Sequence, residues 1–213
     1  MDIKLFLKNL YILPYIGGVL AIVSLFFPAA TNFDANWSIN SFTFWVWGLV
    51  CEIDWMMPGE GWIWNNYFYL SPDLLILLLG IVISALMIFL GVKMVSKARM
   101  IAKENKFINK SFVLYGALII LINIIWVVTV QLYFSNTGYF RNYFIDLDAE
   151  LTMDDLSYLY LPIFSFWDYF GMNFGVIGPF IAGGLPIIGY LIHIIEYKRF
   201  DYLFIEDEEN IKT

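Results

Sequence analysis

The chain is 213 residues long, 61% hydrophobic and only 15% charged, with a formal net charge of −7. Soluble domains carry roughly 45–50% apolar and about 25% charged residues, so this composition excludes a soluble enzyme and equally a disordered or collagen-like chain. The single cysteine, Cys51, and the single histidine, His193, exclude an intramolecular disulfide, bis-histidine haem and thiolate-ligated clusters; no cofactor and no metal is expected.

Four segments free of Asp, Glu, Lys and Arg are each long enough to cross a hydrocarbon core of about 30 Å. The first covers residues 10–30, with Pro14, Gly17 and Gly18 near its start. Lys4 and Lys8 ahead of an apolar run ending Pro28-Ala29-Ala30 also have the outline of a signal peptide. The run exceeds the usual apolar region of about 7–15 residues, and Pro28 fits a cleavage site badly, so it is read as a span. Gly17 with Ala21 offers a small-xxx-small surface for helix packing.

Residues 31–73 follow as a loop holding six of the eight tryptophans: Trp37, Trp45, Trp47, Trp55, Trp62 and Trp64. From Trp37 to Trp55 every second residue belongs to one set that includes Thr43, Trp45, Trp47, Leu49 and Cys51. That period-two pattern predicts one strand with this set on a common face. Met57-Pro58-Gly59-Glu60-Gly61 is a turn cluster, and Trp62 to Tyr69 predicts a second strand. The expectation is a small antiparallel sheet whose tryptophans contact a partner; an interfacial aromatic belt is the plainer reading of Trp62, Trp64, Tyr67 and Tyr69.

The second span covers residues 74–92 and carries Gly80 with Ser84, another small-xxx-small pair. A basic segment, 93–111, leads to the third span at 112–134. Asn123 lies in the middle of that span, where a polar amide is expected to hydrogen-bond a neighbouring helix. The loop at 135–171 is acidic. Thr152, Asp154 and Asp155 read as a helix start that Pro162 ends. Phe164, Phe166, Trp167, Tyr169 and Phe170 read as an interfacial belt. Asp146, Asp148, Glu150, Asp154 and Asp155 offer oxygen ligands for a hard cation, but their spacing departs from a calcium loop and an exposed acidic face explains them as well. The fourth span, 172–195, is rich in glycine, and Gly171, Gly175 and Gly183 recur on one side as candidate packing positions. Residues 196–213 form the tail.

Eleven of the twelve basic residues lie before the first span, between spans two and three, or after span four; the loops at 31–73 and 135–171 hold only Arg141 against eleven acids. Basic residues near span ends stay cytoplasmic. The chain is therefore expected in the cell membrane as a multi-pass protein with both termini cytoplasmic and both long loops outside.

Trp37, then Gly48-Leu49-Val50 and Cys51, on a four-span chain with a long strand-forming first loop, resembles the claudin and peripheral-myelin-protein superfamily. In that family a tryptophan precedes a Gly-Leu-Trp triplet and two disulfide-linked cysteines. Here Val50 replaces the triplet's tryptophan, Trp37 lies closer to the triplet, and the second cysteine is missing. The resemblance implies an all-α membrane protein, a four-helix transmembrane bundle with a small extracellular antiparallel sheet. The large apolar and aromatic outer surface, rimmed by acids, points to a non-enzymatic structural, adhesion or scaffold role, claudin-like in kind. The expected partners are the lipid bilayer and another protein or a second copy, with no nucleic acid. The alternative is a small cation channel or an auxiliary subunit of a membrane transport complex, its acidic loops gathering cations.

Overall fold

The computed structural model of the chain describes residues 3–31, 40–56, 63–71, 74–104, 106–136, 167 and 170–199. Trp37, Trp62, the acidic cluster at 146–155, the expected short helix at 152–162 and the tail from residue 200 lie outside the described residues.

Two short helices, α1 (Ile3–Asn9) and α2 (Ile12–Val23), continue through a turn of 3-10 helix at Ser24–Phe26. The first span is therefore a broken helix that begins well before residue 10. The break falls at Leu10 and Tyr11, and Pro14 then sits in the first turn of α2, where its missing N–H costs no helical bond. The segments expected as the other spans lie in α3 (Leu74–Glu104), α4 (Ser111–Asn136) and α5 (Phe174–Arg199). Four helical stretches, Leu5–Phe26 and the greater part of α3, α4 and α5, are long and apolar enough to cross a membrane. At about 1.5 Å per residue α3 runs ~46 Å, longer than a hydrocarbon core, and its final turns carry Lys93, Lys97, Arg99 and Lys103.

The strands are β1 (Ala30–Thr31), β2 (Asn40–Phe44), β3 (Leu49–Met56), β4 (Ile63–Leu70) and β5 (Gly171–Met172). They form one antiparallel sheet in the order β4-β3-β2-β1-β5. The single strand expected from Trp37 to Trp55 is in fact a hairpin, with β2 and β3 joined across Trp45–Gly48. Gly48 has φ +93°, a left-handed conformation that a residue with a Cβ resists, and its N–H closes the turn on Trp45 O at 3.0 Å. The turn also selects which residues are buried. Among the described side chains from Thr43 to Val50, Phe44, Val46 and Val50 are the buried ones, and Thr43, Trp45, Trp47 and Leu49 of the set to which the alternation assigned the common face are not. Among the described side chains of that set, only Cys51 is buried.

The chain divides into two compact units, and α3, α4 and α5 each supply residues to both. One comprises Met1–Ser24, Ala85–Ile122 and Ile177–Thr213. Its core gathers Leu7, Leu10, Ala21, Met94, Phe112 and Ile119 with their neighbours. The other comprises Leu25–Ser84 and Asn123–Val176, and so contains the whole sheet. Its core includes Phe44, Val46, Val50, Trp126 and Phe170, with the Phe44 and Phe170 rings edge-on at 5.3 Å.

Candidate interaction surface

The tryptophans of the β2–β3 turn are tied into the protein. Trp45 Nε1 donates to Phe26 O at 3.3 Å, and Trp47 Nε1 donates to Leu25 O at 3.0 Å. Both carbonyls belong to the 3-10 turn that ends the first span, a place where backbone acceptors lack helical partners. Ala29 N–H donates to Phe44 O at 2.6 Å and Ser71 N–H to Gly48 O at 2.7 Å. The turn is thus bonded to chain on both sides of the sheet segment. Gly80 of α3 completes the seat: a methyl there would run into Val46 O and lie 3.2 Å from the Trp47 carbonyl carbon. Gly80 accordingly receives the turn of the sheet rather than a second helix.

Beyond the turn, Trp55 stands opposite Trp64 in the β3–β4 register. The β4 strand is eight residues long, the same length as its one neighbour β3, and forms an end of the sheet among the described strands. Phe68 is 63% exposed and Leu70 55% exposed on it. Cys51 lies buried in β3 as a free thiol, and burial pushes its pKa above the ordinary value. At the far end of the sheet, Asn173 Nδ2 donates to Thr31 Oγ1 at 2.5 Å. Gly171 belongs to β5 there, paired with Thr31, and so precedes the helix on which it was expected. Gly175 is on α5, but a methyl there would lie 2.6 Å from both Phe27 O and Pro28 O. It accommodates the chain leaving the first span, not another helix.

Helix packing uses a different set. In the first unit a methyl on Gly17 would fall 2.5 Å from Ala182 O. Pro186, four residues on, cannot donate a helical bond to that carbonyl, so the glycine hydrogen faces an acceptor left open by proline. Methyls on Gly183 and Gly116 would each run into the other's carbonyl oxygen, and methyls on Gly18 and Gly91 would do the same at 2.7 Å each way. Spacing along one helix singled out Gly17 and Gly183 but passed over Gly91 and Gly116, whose partners lie on other helices. Ala21 is fully buried.

Within the second unit Asn123 is fully buried and its Nδ2 donates to Val176 O at 2.9 Å, joining α4 to α5. Ser84 is also buried, its hydroxyl without a hydrogen-bond partner among the described residues. Two residues read as an interfacial belt also pack within the protein. Trp167 Nε1 donates to Val127 O at 3.3 Å, and Phe170 is 2% exposed. The cation-gathering alternative rests on Asp146, Asp148 and Glu150, which are outside the described residues. No protein-family model and no curated protein matches this chain.

Proposed function

We propose that this is a non-enzymatic four-span protein of the cell membrane that acts laterally as a structural, adhesion or scaffold component through the sheet between its first two spans. The observation that carries the reading is β4, an eight-residue strand at an end of the sheet among the described strands, with Phe68 and Leu70 exposed. A long apolar edge strand is a template for strand addition by another chain. The hydrogen bonds of Trp45 and Trp47 support it by fixing the turn to the end of the first span, so a partner would meet a preorganised surface. The distribution of basic residues supports a sheet outside and both termini in the cytoplasm. The four-span layout, with strands in the first long loop, is also what the sequence resemblance to claudins implies.

The test separates docking from folding. Trp45→Ala and Trp47→Ala each remove an internal hydrogen bond, so loss of a partner in those variants has two explanations. Phe68→Lys with Leu70→Lys changes only exposed positions and places charges on the edge. Two differently tagged copies and the surrounding membrane proteins are recovered together in mild detergent. The double variant is expected to recover its partner, or the second copy, at least about five-fold less well with an unchanged thermal midpoint. Equal recovery contradicts the reading.

A further inference from the structure

In the first unit, an open recess of about 400 Å³ lies between the start of α4 and the last turns of α5, lined in part by Asn109, Lys110, Tyr190, His193, Tyr197 and Lys198. Several other cations of this unit are already engaged. Lys97 stands over the rings of Phe112 and Tyr115, Arg99 stacks on Tyr15 and donates to its hydroxyl, and Lys106 pairs with Glu104 at 2.7 Å. Lys110 and Lys198 are exposed and, among the described residues, held in no ion pair.

The recess sits where two apolar helices stop. Lys110 immediately precedes α4, and Lys198 lies three residues beyond Ile195, the last residue of the uncharged run in α5. Asn109 Oδ1 accepts the Ser111 N–H at 3.1 Å, which leaves its amide nitrogen as a donor. The positive end of the α4 dipole adds to the two lysines. Tyr190, His193 and Tyr197 give the recess an aromatic wall, with the Phe107 ring stacked on His193 at 5.4 Å. Roughly 130° further round α5, Ile188, Leu191 and Ile195 form a stripe exposed by 52%, 51% and 62%. A polar, cationic recess beside an exposed aliphatic stripe matches an amphiphile: an anionic head with a chain attached.

We propose that this recess holds the phosphate of an anionic phospholipid, with Lys110 and Lys198 as counter-charges and an acyl chain along Ile188, Leu191 and Ile195. The proposal needs the chain to be embedded in lipid and does not depend on any role of the sheet. Cationic pockets between spans at headgroup depth recognise such lipids, each lysine adding to the attraction.

Native mass spectrometry of the full, delipidated chain tests it with three probes: phosphatidylglycerol, phosphatidylcholine and glycerol 3-phosphate. One saturable phosphatidylglycerol is expected, preferred over phosphatidylcholine, and the Lys110→Gln/Lys198→Gln variant should lose about thirty-fold in affinity. The Lys110→Arg/Lys198→Arg variant keeps both charges and should keep the site. Equal affinity for the two lipids, an unaltered Gln variant, or equal loss in the Gln and Arg variants overturns the proposal. Competition by glycerol 3-phosphate at concentrations matching the lipid would show a free-phosphate site and overturn the lipid assignment.

Discussion

Gly48 holds the sheet's first hairpin by two constraints at once. Its φ is +93°, and a methyl there would lie 2.7 Å from Leu77 Cδ1 on α3. Gly48→Ala should therefore cost about 1–3 kcal/mol, read as a lower thermal midpoint in detergent; an unchanged midpoint would show that the turn tolerates a Cβ. Cys51 reports on the same hairpin. Burial holds its thiol above the ordinary 9.0, so the folded chain stays protonated where an unfolded one ionises. The stability this group contributes is complete below pH 9.0 and is lost as pH rises past it. Thiolate is the reactive form. Iodoacetamide at pH 9 should thus modify the native chain at least about ten-fold more slowly than the SDS-denatured chain, and equal rates would place Cys51 at the surface.

Two neighbouring glycines of α5 separate packing from propensity at the scale of an element. A methyl on Gly183 would lie 2.5 Å from Gly116 O, whereas one on Gly184 would meet nothing within 4 Å. Gly183→Ala should destabilise by about 1–3 kcal/mol through overpacking. Gly184→Ala should be neutral or gain up to about 1 kcal/mol from helix propensity. Matching shifts in the two variants would remove the close helix contact from the account. For the α4–α5 junction, Asn123→Leu should cost about 0.6 kcal/mol and at most about 1.7, since only the Nδ2 bond to Val176 O is lost. These elements also mark the limits of sequence reading. Uncharged runs show the spans because charge is expensive in hydrocarbon. Alternation found strands but ran through the Trp45–Gly48 turn, whose only signal is one glycine. The two-residue strands β1 and β5 are too short for any period, and Gly80 and Gly175 show small size without showing what approaches them.

Taken as a whole molecule, the chain has, among the described residues, four membrane-length helices, a sheet formed mainly by the segment joining the first two, and a basic segment joining α3 to α4. The proposed lateral role requires the sheet and that basic segment to lie on opposite faces of the bilayer. Single cysteines at Phe68 and at Lys103, each in a Cys51→Ala background, test this in intact cells with a membrane-impermeant maleimide. Phe68→Cys should be labelled at once, and Lys103→Cys only after permeabilisation. Labelling of Lys103→Cys in sealed cells, with Phe68→Cys protected, would contradict the account.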